Sequence, residues 1–371
     1  MLRKIKSLLS RVRNYCDWYA YPKYIIFESD DWGSIRSSNQ AAISALSNKG
    51  YLVKNSHYIN DCIETVDDLK NLAKVLSKHQ DSYGNSAIFT TNVVLANPDF
   101  DSIKRTEYQS YSYTPVHKET KLFDGQALAK CWRSLYQMGV IMPQVHCREH
   151  IQWWSWMSDL QDGRPDALDS FEYAMCGVPK ASSPERVSYF EPVYIEDSFT
   201  VKNKQDLVES IKAGFEIFEE IFNFKSTTTI APVAFWGEEH EFIWSNLGVK
   251  GIQGGWLQTE RLNGKDSHHV RYLGERNKYD QKYLVRNCIF EPRRSEKYYG
   301  VKQCISSISR AFLFRKPAII STHRFNYVSS IDKKGAEKSL QSIDKLLGEI
   351  LNRWPDVKFI SSATLLEKLN K

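Results

Sequence analysis

The chain reads as an α/β protein whose sheet is mostly parallel, open or closed into a barrel. Three observations predict this. Apolar strand-like runs alternate with amphipathic helical stretches along the 371 residues. No short repeat and no linker divides them. The conspicuous polar residues, Asp30, Asp31, His146 and His323, fall at or just past the ends of predicted strands. An αβ barrel gathers such ends on one face.

Tyr24 to Phe27 is a short apolar strand, and Glu28-Ser29-Asp30-Asp31-Trp32-Gly33-Ser34 follows it. Asn39 to Lys49 is helical, with Gly50 as its C-cap. Thr65 to His79 sets Val66, Leu69, Leu72, Ala73 and Leu76 on one helical face. Ala87 to Val94 is a strand. Residues 97–123 keep no clean period and read as a long loop or insertion, a kind of segment that is often functional. Gly125 to Met138 is a helix and Val140 to His146 a strand. Residues 160–200, rich in Pro, Ser and Asp, form a second insertion. Gln205 to Phe222 is a strongly amphipathic helix, and Thr227 to Ile230 a strand. Glu239 to Leu247 is a helix whose acidic start favours its N-terminus. Gly248 to Gln253 turns into another strand. A third insertion, near 262–300, holds short β-like pieces at Val270 to Leu273 and Tyr283 to Ile289. Pro317 to His323 is a buried strand ending in histidine, Lys338 to Trp354 a helix, and Val357 to Ser361 the last strand. Helix Ala363 to Leu369 closes the chain.

Hydrophobic content of 42% and charged content of 25% are ordinary globular values, so a sizeable core is available. Aromatic content is 13%, with 10 Trp and 20 Tyr, which suits walls for sugar rings and suits a core equally. A net charge of +6 is mild and the basic residues are scattered, so no nucleic-acid partner is expected. The seven cysteines are odd in number and include no Cys-x-x-Cys, which argues against a disulfide framework and a four-cysteine zinc site. A reducing compartment is the simple reading. No apolar run is long enough to span a bilayer. Residues 1–22 form a basic N-terminal segment, with Leu2, Ile5, Leu8, Leu9 and Val12 at helical spacing among five Lys/Arg. Its apolar stretch is too short for a signal peptide. It suits a helix packed on the body and also peripheral contact with an anionic membrane. The expected location is cytoplasmic, with or without contact to the inner membrane face.

His146 and His150 stand in a His-x-x-x-His spacing. On a helix, positions i and i+4 share a face, so two imidazoles there grip one ion. Two neutral imidazoles, one carboxylate and a water make a common catalytic zinc arrangement. Asp30 or Asp31 supplies the carboxylate. Adjacent residues leaving a strand end point differently, so one binds the metal while the other handles protons. As isolated pieces, Asp-Asp-x-Gly is also ordinary turn chemistry.

In this order the pieces resemble the NodB-type polysaccharide deacetylases, carbohydrate esterase family 4. Ser29-Asp30-Asp31-Trp32-Gly33 resembles that family's first motif, with Trp32 inserted before the glycine. His146-Cys147-Arg148-Glu149-His150 resembles its second, and Ser321-Thr322-His323 its last. The resemblance implies a single distorted (β/α) barrel over 23–371 with loop insertions. It implies Asp30 as catalytic base, Asp31, His146 and His150 as metal ligands, and His323 as the acid that protonates the leaving amine. The cofactor it implies is one divalent metal, zinc by default, with cobalt, nickel and manganese also compatible. The substrate is an N-acetylated sugar or glycan, attacked by metal-activated water. A backbone N–H near Val233 resembles the family's oxyanion donor. Departures are visible. The third motif's arginine and tyrosine are missing from Ile230-Ala231-Pro232-Val233, and only Trp256 survives of the fourth. Arg324 stands where an aspartate follows the late histidine. Arg36 or Arg148 is the expected substitute for the arginine that steadies the base, and both join the substrate-binding candidates. Trp32, Trp236 and Trp256 are candidate pocket walls, and suit the core as well.

The leading expectation is a metal-dependent deacetylase in glycan or surface-polysaccharide biosynthesis. A glycoside hydrolase pairing Asp30 or Asp31 with Glu238 or Glu239 is the second reading. A catalytically degenerate glycan-binding protein is the third.

Overall fold

The computed structural model describes residues 20, 22–51, 57–177, 201–262 and 265–370, with nothing described for the side chains of 201–204, 261, 262 and 265. Most of the basic N-terminal segment, and the part of the second insertion from 178 to 200, lie outside the described residues.

Nine strands build one sheet. They are β1 (Tyr24–Trp32), β2 (Phe89–Val94), β3 (Ile141–Cys147), β4 (Thr228–Ile230), β5 (Gly251–Gly254), β6 (Lys282–Val285), β7 (Cys288–Ile289), β8 (Ala318–His323) and β9 (Lys358–Phe359). The order is β6-β5-β4-β3-β2-β1-β8-β7, with β9 beside the start of β1. Every pairing between them is parallel. Parallel pairing needs crossovers, supplied by α1 (Gln40–Asn48), α2 (Val66–Lys78), α3 (Gly125–Gln137), α4 (Val201–Phe222), α5 (Glu238–Asn246), α6 (Val301–Leu313) and α7 (Lys333–Arg353), and α8 (Ser362–Leu369) follows the last strand.

The sheet curls until its two edges nearly meet. β6 and β7 lie at opposite edges of the order, yet only Arg286 and Asn287 separate them. The Arg286 N–H donates to Gly254 O on β5 at 2.8 Å, and the Asn287 N–H to Ile319 O on β8 at 3.1 Å. The three residue steps from Val285 to Cys288 reach at most about 11 Å, so the edges must stand within that distance. The result is a distorted (β/α) barrel closed by a two-residue seam.

The helices follow ordinary rules. Thr65 caps α2 through Asp68 N, and Asp68 returns the bond to Thr65 N in a capping box. Leu69, Leu72 and Leu76 of α2 turn inward at three- and four-residue steps. β1 is buried along its whole length because helices and barrel interior cover both of its faces. Ile25, Ile26 and Phe27 therefore carry no polar interruption, and Phe27 stacks on Phe89 at 5.0 Å. Each such side chain contributes about 1.5–3 kcal/mol by burial.

Several stretches differ from the sequence expectation: β1 runs on to Trp32 rather than ending at Phe27, and the helices Trp153–Gln161 and Val301–Leu313 are absent from that expectation. Residues 97–123 hold a hairpin of Ala96–Pro98 with Tyr113–Pro115 and a helix, Phe100–Arg105. Phe100 and Ile103 there join Trp156 and Phe171 in a small second core. The stretch 262–300 contains β6, β7 and the seam, which belong to the main sheet. These strands have four and two residues, too short to show a period against the polar residues around them. Among the described residues the cysteines are free, and no helix is long and apolar enough to cross a membrane.

Candidate metal and proton-transfer site

The site sits where β1, β2, β3 and β8 end. In β1 the pairing with β2 shifts register between Ser29 and Trp32. Asp31 lies in this bulge with φ 73, a left-handed conformation uncommon for a non-glycine residue. An extra residue in a strand re-aims a side chain. Strict alternation would send Asp30 and Asp31 to opposite faces. Here both reach the barrel mouth. Gly33 follows with φ +85, and a Cβ there would stand 2.4 Å from Val94 O, so the turn admits only glycine.

Asp31 Oδ1 lies 3.4 Å from His146 Nε2 and 3.6 Å from His150 Nε2. The three ligand atoms stand within 4.8 Å of one another. The Nδ1 of His146 meets the Ile230 carbonyl at 2.9 Å, which places its proton on Nδ1 and leaves Nε2 a lone pair. Burial, then the nearby Arg36 cation, pushes His150 down to about 3, so it is a neutral imidazole at pH 7. Two imidazoles and one carboxylate suit a divalent ion, zinc foremost. The helical geometry expected for His-x-x-x-His is absent. His146 is the last residue but one of β3 and His150 lies past the strand in non-helical backbone, with the rings 4.9 Å apart and edge-on.

Asp30 pairs in register with His323 across β1 and β8. The Nε2 of His323 is 3.7 Å from Asp30 Oδ2. Arg286, from the seam, donates to Asp30 through Nη1 at 2.6 Å and Nη2 at 2.7 Å, and to Glu28 through Nε at 2.6 Å. Asn92 donates a further bond to Asp30 at 2.7 Å. Burial opposes the charge on Asp30, but Arg286 outweighs it and holds the carboxyl well below the usual carboxylate range. The other face of His323 belongs to Glu291, whose Oε1 is 2.5 Å from Nδ1. Burial alone would lower His323; Glu291 overrides it and lifts the imidazole to about 9. Asn326 in turn donates to Glu291 at 2.5 Å.

A buried ion lattice lies beside the ligands. Arg36 bridges Asp31 at 3.2 Å and Asp61 at 3.1 Å. Arg324 bridges Asp61 at 2.7 Å and Glu64 at 3.1 Å, and Glu64 accepts from Gly33 N at 3.0 Å. Removing one member strands a buried charge, which costs about 3–5 kcal/mol. Arg324, odd in the sequence, is a wholly buried member of this lattice.

The structure thus brings together Asp30, Asp31, His146, His150 and His323. It corrects the expectation for the arginine: neither Arg36 nor Arg148 grips Asp30. Arg36 faces Asp31, and Arg148 pairs with Glu149 and lies over Tyr113 at 4.0 Å. Trp32 and Trp236 are core residues, bonded to Ser29 Oγ and Glu241, and offer no wall to a pocket. Trp256 is half-buried. Val233 is half-exposed just past β4 with φ 55, strain of about 1–3 kcal/mol of the kind that clusters at functional sites. Glu238 lies on the surface against Lys278. Sequence reasoning missed Arg286, Glu291, Asn92, Asp61 and Glu64, which fall in no motif, and gave no role to Glu28, which stands in the first-motif stretch. Folding alone brings the five to the site.

No protein-family model matches the chain, and no curated protein matches its sequence. Solved structures do. A putative glycoside hydrolase/deacetylase from Parabacteroides distasonis matches with a TM-score of 0.50 at 6% identity, over 93% of this chain and 70% of that one. The 4-alpha-glucanotransferase of Thermococcus litoralis matches at 0.43 and 8% identity, over 93% of this chain and 40% of that one. A putative polysaccharide deacetylase from Mycobacterium smegmatis matches at 0.41 and 10% identity, over 95% and 92%. The chain spans about two fifths of the glucanotransferase's length. The likeness to the deacetylases read from the motifs holds at the level of fold, and in fold this chain is a distorted parallel barrel similar to that of the Parabacteroides protein.

Proposed function

We propose that this protein is a divergent NodB-type deacetylase, a metal-dependent hydrolase that removes the N-acetyl group of an amino sugar in glycan or surface-polysaccharide biosynthesis. One observation carries the reading: a three-ligand cluster of Asp31, His146 and His150 stands beside an Asp30–His323 pair at one barrel mouth.

An acetamide is a poor electrophile, and water a poor nucleophile at neutral pH. A divalent ion on Asp31, His146 and His150, zinc by default, would supply the Lewis acidity that activates water and polarises the carbonyl. Asp30 accepts the proton of the attacking water, with Arg286 and Asn92 fixing its carboxylate. His323, kept protonated by Glu291, donates from Nε2 to the departing amine. The backbone N–H at Val233 is assigned to the developing oxyanion. Arg286 stands in for the arginine missing beside Val233, reaching Asp30 from the seam.

The test is metal content of the purified protein alongside acetate release from N-acetylhexosamine substrates. About one divalent ion per chain with acetate release is expected. No ion after reconstitution overturns the reading. An ion without acetate release, across N-acetylated substrates, leaves only a glycan-binding role.

A further inference from the structure

The inside of a parallel barrel is ordinarily filled by branched aliphatic side chains. Here part of it is polar: Asn92 on β2, Gln144 on β3, Thr228 on β4 and Gln253 on β5 are each at most 1% exposed. A buried amide or hydroxyl costs free energy unless it is hydrogen-bonded. These four are bonded in a single line that ends on Asp30. β3 and β4 stand between β2 and β5 in the sheet, so the bond from Asn92 to Gln253 crosses the barrel interior.

The line has a direction, and the backbone fixes it. The N–H groups of Thr227 and Thr228 donate to Gln144 Oε1 at 3.1 and 2.8 Å, so that atom is the amide oxygen and only accepts. Thr228 Oγ1 lies 2.9 Å from it and gives it the hydroxyl proton. Thr228 Oγ1 then has only lone pairs for Gln253, whose Nε2 donates to it at 2.8 Å. With its nitrogen committed, Gln253 turns Oε1 to Asn92 and accepts from Nδ2 at 2.8 Å. The same Nδ2 donates its second proton to Asp30 Oδ1 at 2.7 Å. Turning either amide over sets oxygen against oxygen at one of these contacts. Asn92 keeps this orientation although its own Oδ1 has no donor among the described residues.

We propose that Gln253 and Thr228 are positioning residues for Asp30, acting through Asn92. They hold the Asn92 nitrogen against Asp30 Oδ1, which also accepts from Arg286 Nη2. Two bonds on Oδ1 leave Oδ2, on the His323 side, as the oxygen that takes the proton of water. For turnover the inference rests on the proposed reaction, in which Asp30 is the base. The orientation of Asn92 is independent of that reaction.

The first measurement is hydrogen exchange of the Asn92 side-chain amide, read by NMR on the full chain with isotope-labelled asparagine. In the wild type it should be at least about tenfold slower than exchange of an exposed asparagine, since both protons lie in buried bonds. Thr228→Val keeps the shape and removes the hydroxyl. It should speed that exchange and lower kcat for acetate release about tenfold, with KM and metal content unchanged. Thr228→Ser keeps the hydroxyl and should restore both exchange and kcat to within about twofold. Gln253→Met breaks the line one step nearer Asp30, from another strand, and carries the test if Thr228→Val does not fold. The Thr228→Val/Gln253→Met double variant should lose no more than Gln253→Met alone, because both act through one chain of bonds.

An Asn92 amide that exchanges freely in the wild type overturns the proposal. Equal losses in Thr228→Val and Thr228→Ser also overturn it, by assigning the threonine to packing alone, and so do losses that multiply in the double variant. Absence of acetate release from the wild type counts against the proposed reaction. The Asn92 amide, protected in the wild type and released in Thr228→Val, then still decides the orientation.

Discussion

The two halves of the candidate site are built differently. The ligand half, Asp31 with His146 and His150, comes from two short segments at the ends of β1 and β3. The proton-handling half, Asp30 with His323, is set by Arg286 and Glu291, which reach it from the seam and the turn after β7. The first half depends on local backbone, a bulge at Asp31 and a turn after His146. The second depends on the barrel closing, because Arg286 can meet β1 only when the sheet's two edges approach.

The largest expected effect tests the first half. His146→Ala/His150→Ala should remove the bound ion, measured by elemental analysis, and lower acetate release about 10³-fold, as loss of several kcal/mol of Lewis-acid stabilisation implies. Retained metal in that variant would move the site elsewhere. Arg286→Met separates the halves. Metal content should stay near wild type while kcat falls about 10²-fold, because the base is no longer held. Thermal unfolding should also show a loss of about 3–5 kcal/mol, since Glu28 and Asp30 are left buried without their cation. Loss of metal together with activity would show the halves to be one unit.

The next effect is one of pH. His323 is raised to about 9, so its protonated form dominates at neutral pH. Its stabilising contact with Glu291 is complete below the unfolded histidine value of about 6.5 and is lost as pH rises through about 9. Activity that needs the protonated imidazole should fall over the same alkaline window. Glu291→Gln removes the anion that lifts His323 and should move this alkaline limb toward neutral pH, with kcat down about tenfold at pH 8. An unmoved limb would assign it to another group. The smallest effect concerns Glu238. Glu238→Ala breaks only a surface pair with Lys278, and stability should change by less than about 0.5 kcal/mol. Acetate release should be unchanged. A large fall in turnover of a glycosidic substrate would revive the carboxylate-pair reading.

The sequence by itself determined the alternation of strands and helices, the strand-end placement of Asp30, Asp31, His146 and His323, and the capped, one-faced helix over 66–78. These are local properties: period, capping and adjacency act within a few residues of chain. Even there, the ring geometry of His146 and His150 came from a strand end and the bend after it, since the backbone past Cys147 leaves the sheet before a helix can form. Tertiary structure alone decided the rest. It put Trp32 and Trp236 in the core, where strand alternation and the neighbouring layers leave them no open face. It bound Arg36 to Asp31 rather than Asp30, and Arg324 to Asp61 and Glu64 across 263 and 260 residues, a separation along the chain that conceals them. Above all it brought Arg286 to Asp30 across 256 residues. Charge attraction carries no mark of its partner in the sequence, and only closure of the sheet selects which carboxylates that guanidinium meets.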